Sequence, residues 1–154
     1  MTFKYGDDVV KPTINPILTP GGTNMLREPI SAWGEGEHPW QRGLTLMQGA
    51  INGIDCWNEK AIETHGRTEQ DTLSVHHGPL SLTISSDNSW YCGDRKLMTD
   101  HRSYRLFDTK RDSVILDIML TLKASEGDVT IGDTKEGGFL CIRVNPSMNA
   151  SGGG

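Results

Sequence analysis

The clearest hydrophobic pattern in this chain lies between residues 114 and 122, where aliphatic side chains fill every second position. Those positions hold Val114, Leu116, Ile118, Leu120 and Leu122. Alternation with a period of two is typical of a β-strand that buries one face, because successive side chains of a strand point to opposite sides. The pattern therefore predicts a strand with one fully buried face, on which Leu116, Ile118 and Leu120 are nearly inaccessible to solvent.

Shorter apolar runs bounded by turn-forming residues precede this strand. Residues 72–77 and 80–85 are predicted as two strands separated by Gly78-Pro79, with a turn after them at Asp87-Asn88. These turn residues are the ones that interrupt strands most often, because they favour tight turns over extended pairing.

A hairpin is predicted around Asn52-Gly53, because this dipeptide tolerates positive φ and the segments 44–51 and 54–57 on either side are apolar. No apolar period of 3.6 residues extends over a helical length anywhere in the sequence. Short antiparallel strands joined by polar turns predict an all-β chain that folds as an antiparallel β-sandwich.

The domain organisation follows from length and from the distribution of proline. Residues 1–43 hold five of the seven prolines and are predicted to be loops with short edge strands. The 154 residues correspond to one domain, so residues 1–150 are expected to form a single β-sandwich or the N-terminal part of one, followed by a flexible glycine-rich tail at 151–154. Because no strand-like segment follows residue 144 to close the sandwich, a fragment that self-associates is expected.

Composition narrows the possible partners. The chain has 15 Lys and Arg against 20 Asp and Glu, and it has no basic tract, so no nucleic-acid partner is expected. No segment has the apolar length of a signal peptide or a membrane span, and the three cysteines form no C-x-x-C motif. A cytoplasmic protein with free thiols and no membrane partner is expected, and no sequence motif names a cofactor.

Four motifs occur in an order that resembles one family. They are KPTINPILTPGGTNMLRE at 11–28, HPWQRGL at 38–44, INGIDCW at 51–57 and IGDTKEGGFLCIRV at 131–144. Together they resemble the uncharacterised bacterial family that carries the label methane oxygenase PmoA. The resemblance extends over nearly the whole chain and corresponds to the N-terminal part of a typical member.

The resemblance implies a sugar-related protein and not a methane oxygenase. A particulate methane monooxygenase subunit is embedded in the membrane, whereas no segment here approaches the roughly twenty apolar residues of a spanning helix. The family resemblance implies instead a soluble β-sandwich, similar to the sugar-handling sandwiches of carbohydrate-degrading bacteria. Where members usually carry two histidines before the Arg-Gly pair, this chain has Trp40 and Gln41, and only His38 remains.

Three charged residues lie together in one predicted connection between strands. Asp133, Lys135 and Glu136 precede Gly137-Gly138, which would let a ligand approach the backbone closely. A base, a cation and an acid could bind hydroxyl groups or transfer a proton, so these residues are candidates for catalysis. The alternative is a solvated turn held by surface ion pairs.

A second group of residues is a candidate for saccharide binding. His38 and Arg42 flank Trp40, whose ring could stack on a sugar while the polar groups bind the edges of the sugar. Arg143 leaves an otherwise apolar face of segment 139–144, where it either pairs with a carboxylate or binds a ligand oxygen. Packing within a loop would explain Trp40 and its neighbours equally well.

No metal site is predicted. His76 and His77 are adjacent, so on a strand they point to opposite sides and cannot both bind one metal ion without a bend. Asp100, His101 and Arg102 are interpreted as the polar face of a strand with cross-strand pairing.

The leading hypothesis is a carbohydrate-active protein that uses acid–base chemistry on a sugar or glycoside. One alternative is a structural part of a larger sandwich. The other is a non-catalytic sugar-binding module, which requires an exposed tryptophan among Trp33, Trp40, Trp57 and Trp90.

Overall fold

The computed structural model confirms the predicted all-β sandwich, with two four-stranded antiparallel sheets. The helical element in the part of the chain that it describes is one 3₁₀ turn, Pro146–Met148. No helix within that part is long and apolar enough to cross a membrane. The described part comprises residues 1–5, 9–27, 40–59, 63–109, 113–134, 138–148 and 150. The tail expected at 151–154 lies outside it.

The short sheet has the strand order β1-β2-β3-β8. Its strands have two or three residues each: β1 Phe3–Lys4, β2 Thr13–Ile14, β3 Leu44–Leu46 and β8 Leu140–Ile142. Within the described N-terminal residues, the expectation of loops with short strands is confirmed, but the expectation that these are edge strands holds for β1 and is wrong for β2, which lies between β1 and β3.

The long sheet has the strand order β4-β5-β6-β7, so its four strands follow one another as a meander. They are β4 Gly66–His77, β5 Ser81–Cys92, β6 Arg95–Asp108 and β7 Val114–Lys123. The predicted break at Gly78-Pro79 is the turn between β4 and β5. Chain-adjacent strands pair because short connections suffice to join antiparallel neighbours.

The predicted turn at Asp87-Asn88 is wrong, because both residues lie inside β5. Asp87 points outward, where its carboxylate accepts a hydrogen bond from Thr72 Oγ1 at 2.7 Å. Asn88 points inward, where its amide donates to Asp100 Oδ1 at 2.6 Å. Cross-strand partners on both sides hold these turn-forming residues in an extended conformation, which local propensity does not foresee.

The tight turn at Asn52-Gly53 is confirmed, but the hairpin expected around it is not: of the segments 44–51 and 54–57, Leu44–Leu46 forms a strand, and this strand pairs with β2 and β8. Both residues have positive φ, 53° for Asn52 and 76° for Gly53, and Ile51 and Ile54 form a bridge across the turn. Both this bridge and the one that Ile51 forms with Ile131 are isolated. Ile51 exchanges two backbone hydrogen bonds with Ile54, while Asn52 N donates to Thr130 O and Gly132 N donates to Ala50 O, so the turn pairs on its other side with a distant segment.

The interior is divided between two apolar clusters. The first cluster consists of Met47, Ile51, Cys56, Trp57, Trp90, Leu97 and Met98. The second cluster joins the two sheets through Ile14, Leu26, Leu44, Leu46, Ile84 and Tyr104. Strands β2 and β3 of the short sheet and strands β5 and β6 of the long sheet contribute side chains to this cluster. The two sheets therefore pack face to face as a sandwich.

Strand β7 is confirmed, but the prediction that its apolar face is fully buried is wrong. Leu116, Ile118 and Leu120 are half-buried. Leu116 and Ile118 line a groove of about 540 Å³. This apolar groove is lined by side chains of β7, β3, β8 and the segment 17–26, and it also includes Ile142 and Val144. Alternation identified the inward face, but burial depends on how much of the opposite sheet lies over that face.

Candidate functional site

Arg143, which the sequence suggests as part of one binding site with Trp40 and Arg42, is linked beside the short sheet to the segment that holds these two residues. The β3–β8 pairing continues past the strands, because Arg143 N donates to Gly43 O at 2.8 Å. The guanidinium Nη1 of Arg143 donates to Gln41 Oε1 at 2.9 Å. Since Gln41 lies between Trp40 and Arg42 in the chain, this contact ties Arg143 to the segment that holds both.

This group lies on the outer face of the short sheet. Ile142 lines the apolar groove between the sheets, so its neighbours Cys141 and Arg143 point the opposite way. Cys141 is aligned with Thr45, which is aligned with Thr13, and the two threonines are buried. The outer face is therefore covered by other parts of the chain at Thr13 and Thr45, whereas Trp40 and Arg143 beside it are half-buried.

Arg42 is fixed by a buried carboxylate. Its Nε lies 2.8 Å from Glu59 Oε2 and 3.1 Å from Glu59 Oε1, and its Nη2 lies 2.6 Å from Glu59 Oε2. The side chain of Glu59 is 1% exposed and that of Arg42 is 11% exposed. Because a forked, desolvated pair leaves the guanidinium little rotational freedom, Arg42 is a positioned group.

Lys11 completes this buried charge cluster. Its Nζ lies 3.3 Å from Glu59 Oε1, donates to Trp57 O at 2.7 Å and lies 4.4 Å from the centroid of the Trp57 ring. Burial lowers the pKa of Lys11, and the attraction of Glu59 opposes that shift. Nothing in the sequence indicates that Lys11 and Glu59 meet: Lys11 begins the proline-rich motif at 11–28, Glu59 belongs to none of the four motifs, and their separation in the chain carries no signal.

Trp40 is the candidate aromatic platform among the tryptophans that the structure describes. It is half-buried and packs against the first apolar cluster. Trp57 and Trp90 are 3% and 0% exposed, so the expectation that either could serve as a sugar platform is wrong. Trp33 lies outside the described residues.

Asp133 does not join this group. Gly132 N donates to Ala50 O at 2.9 Å and Gln48 Nε2 donates to Gly132 O at 3.2 Å, so Asp133 lies near residues 48–50. Arg143 instead lies beside Gly43, at the other end of the paired segments. Asp133 is exposed. Lys135, Glu136 and His38 lie outside the described residues, so the predicted charge cluster of the loop stays a prediction.

A second buried charge cluster lies inside the sandwich, where the sequence suggested only a polar strand face. Asp100 Oδ2 accepts from Trp90 Nε1 at 2.6 Å and from Arg102 Nη2 at 2.7 Å, and Asp100 Oδ1 accepts from Arg102 Nε at 2.9 Å. His101 points the other way and meets Asp87 Oδ1 at 2.8 Å on the surface. The interpretation as one polar face is therefore wrong for Asp100 and Arg102, which are 3% and 0% exposed.

A row of polar side chains crosses the inner face of the long sheet at this level. Asn88 is aligned with Asp100 on one side and with Gln70 on the other. Within the described chain, Gln70 Oε1, Asn88 Oδ1 and Arg102 Nη1 are buried and have no hydrogen-bond partner. Buried polar side chains stabilise a fold only through the hydrogen bonds that they form. The row therefore depends on Asp100, which accepts hydrogen bonds from Asn88 and Arg102.

Neither the histidines nor the cysteines form a site in the described residues. His76 and His77 are both exposed, and no group of three or more potential metal ligands occurs in the described ranges. Cys56, Cys92 and Cys141 are free thiols. Burial, followed by the nearby Asp55 carboxylate, raises the pKa of the Cys56 thiol to about 12.

Two clefts open on the surface, and neither is lined by Trp40, Arg42 or Arg143. One is the apolar groove. The other, of about 450 Å³, lies around the β4–β5 turn and includes His77, Leu80 and Phe107. These two clefts in the described part of the chain are therefore separate from the candidate site.

The fold and the site define an antiparallel β-sandwich whose short sheet carries an anchored cluster of arginines and one indole. A family model described as a family of unknown function, DUF6807, matches residues 1–154, so the chain belongs to this family. That description names no activity, and nothing in the match links the chain to the methane oxygenase label. No curated protein and no solved structure matches the chain.

Proposed function

We propose that this protein binds a saccharide on the outer face of the short sheet, with Trp40, Arg42 and Arg143 as the contact residues. The observation that supports the proposal is the Arg143–Gln41 hydrogen bond, because it links Arg143 to the distant segment that carries Trp40 and Arg42. The resemblance of the INGIDCW and GDTKEGG motifs to a family of carbohydrate-degrading bacteria supports a sugar as the ligand.

The chemistry of this group suits a sugar. The face of an indole packs against the apolar C–H face of a pyranose ring, while guanidinium N–H groups donate to ring and hydroxyl oxygens. Arg42 is held by Glu59, so little conformational entropy is lost when its guanidinium meets a ligand.

Binding is favoured over catalysis by the distribution of the candidate residues. Acid–base chemistry needs a proton donor or acceptor within hydrogen-bond reach of the bound ligand. Asp133 lies beside residues 48–50, away from Arg143, and Glu59 is occupied by Arg42 and Lys11. A non-catalytic sugar-binding module is therefore the function that the geometry supports best, and glycoside turnover is its alternative.

Calorimetric titration against a panel of mono- and disaccharides tests the proposal. Trp40→Ala and Arg143→Gln are each expected to weaken binding by about tenfold or more, since each removes one contact made by the ligand. Arg105→Gln is the matched control, because Arg105 is an exposed arginine on the outer face of the long sheet.

Melting curves for the same variants separate a loss of binding from a loss of folding. If no saccharide binds, or if both variants bind as the wild type does, the proposal is wrong. Release of a reducing sugar from a glycoside by the wild-type chain would instead favour the catalytic alternative.

A further inference from the structure

Strand β7 is one of the two edge strands of the long sheet, and β4 is the other. Strand β7 pairs with β6 on one side, and no strand of the described chain pairs with its other side. It is ten residues long and has exposed apolar side chains on its outer face, with Ile115 and Met119 each 55% exposed. A long apolar edge strand presents unpaired N–H and C=O groups that readily accept another strand.

The charges on this edge are arranged for a second copy of the same strand. Asp117 and Lys123 share the outer face and are both exposed, and Leu120 lies midway between them. In an antiparallel pair with a twofold axis at Leu120, Asp117 of each copy lies opposite Lys123 of the other. Two opposite-charge pairs then form at the two ends of one ladder.

The apolar residues agree with the same register. Ile118 of one copy lies opposite Leu122 of the other, and Leu120 lies opposite itself. All of these side chains are on the inward face, so the inner faces of the two long sheets become continuous. A shift by one residue would instead join an inward face to an outward face.

Other registers that keep the faces aligned lose this match. A pair with its twofold axis at residue 117 places the two Asp117 side chains opposite each other. A pair with its axis at residue 123 places the two Lys123 side chains opposite each other. Centring it on Met119 opposes Asp117 to Thr121, which is uncharged. Like charges directly opposite one another destabilise a ladder, so the register with the twofold axis at Leu120 is favoured over these alternatives.

The outer face of β6 extends the charge pattern. Arg105 is aligned with Asp117 across the β6–β7 ladder, and Thr99 is aligned with Lys123. In the paired state each Asp117 therefore lies between Arg105 of its own chain and Lys123 of the other. The carboxylate gains a second cationic neighbour without a like charge beside it.

We propose that this chain forms a twofold dimer through antiparallel pairing of β7 with β7 of a second copy, centred on Leu120, which makes one continuous eight-stranded sheet. This surface is separate from the proposed saccharide site.

Sedimentation of the full chain from about 1 µM to about 1 mM tests the dimer. The wild type is expected to shift from monomer to dimer over this range. Asp117→Lys and Lys123→Asp are each expected to weaken dimerisation by about tenfold or more, because two attractive pairs become two repulsive pairs. The double exchange Asp117→Lys with Lys123→Asp is expected to restore dimerisation to near the wild-type level, since it rebuilds the same two pairs with reversed signs.

Glu126→Lys is the control, because it changes the net charge by the same amount as Asp117→Lys but lies beyond the end of β7. Circular-dichroism melts verify that every variant folds. A wild type that remains monomeric throughout overturns the proposal. A dimer that neither single exchange weakens, or a double exchange that stays as weak as the singles, overturns the β7 register and assigns the contact to another surface.

Discussion

Asp100 and Arg102 lie two residues apart on the inward face of β6 and form a forked ion pair that is closed to solvent. Asp100 also accepts hydrogen bonds from Asn88 and from the indole of Trp90. One carboxylate thus holds three side chains inside the sandwich. Two buried charges are tolerated when they pair with each other, and removing one partner of such a pair is strongly destabilising.

Asp100→Asn is expected to destabilise the protein by about 3 to 5 kcal/mol, because it leaves the Arg102 guanidinium buried without its counter-charge. Urea denaturation of the wild type and the variant measures the difference. Asp87→Asn is the control: Asp87 meets His101 and Thr72 on the surface, and loss of an exposed pair costs under about 1 kcal/mol. Equal effects of the two substitutions would contradict the interior role of Asp100.

Gly66→Ala is expected to destabilise the fold strongly, because an added Cβ would overlap Cys56, whose Cα lies 2.9 Å from the Cβ position. The overlap involves the side chain of Cys56 as well as its backbone Cα, so it cannot be relieved by a rotation of the side chain alone and requires a shift of the backbone at Cys56 or at the start of β4. Gly21→Ala is the control, since its Cβ would meet only Thr19 Oγ1 at 3.8 Å. Thermal melts in which both variants match the wild type would show that Cys56 does not pack against Gly66.

Cys56 is expected to resist alkylation in the folded protein at pH 8, while Cys92 and Cys141, which are half-buried, react faster. The cause is burial, which raises the pKa of Cys56 to about 12 and keeps the thiolate fraction very small. Mass spectrometry of peptides after a timed iodoacetamide pulse measures the three rates. In urea the three thiols should react alike, and preferential labelling of Cys56 in the folded state would refute the prediction.

The raised pKa of the Cys56 thiol also predicts that the folded protein loses stability in alkali. Since the folded pKa is raised, the stabilisation by the protonated thiol is complete below the unfolded value of 9.0 and is lost as the pH rises through about 12. The free energy of unfolding of the wild type should therefore fall relative to that of Cys56→Ala by about 1.4 kcal/mol per pH unit above pH 9. Parallel stability curves for the two proteins between pH 8 and pH 10.5 would contradict this assignment.

Leu46→Ala is expected to lower the free energy of unfolding by about 2 to 5 kcal/mol, because Leu46 lies in the second apolar cluster and is 2% exposed. Leu116→Ala should cost clearly less, because Leu116 is half-buried and borders the apolar groove, where the space left can fill with water. Chemical denaturation of both variants compares the two positions. A larger loss for Leu116→Ala would mean that the groove is closed in solution.

Local patterns were sufficient for the elements that depend on local physics. The alternation from Val114 to Leu122 identified β7 and its inward face, because side-chain direction in a strand follows from sequence position alone. Asn52-Gly53 identified a tight turn with positive φ, because few other residue pairs tolerate that backbone conformation. The all-β class followed from such strands and turns together.

The candidate site stays a prediction. Trp40, Arg42 and Arg143 were named from chemistry, and in the structure Gln41 links Arg143 to the segment that holds the other two. The sequence could not reveal Glu59, which holds Arg42, because a carboxylate far along the chain carries no sign of its burial. Nothing in the sequence indicated that Asp133 lies apart from Arg143, near residues 48–50.

The sequence by itself determined that this chain is built from β-strands, where its longest alternating strand lies and which side chains could bind a polar ligand. Only the tertiary structure decided that Asp87 and Asn88 extend within a strand, that Asp100 and Arg102 point into the core, and that the inward face of β7 is half open. Each of these depends on residues that face one another across strands or sheets. Such contacts are set by the packing of distant segments, and the free energy they contribute overrides the local preferences from which a sequence is interpreted.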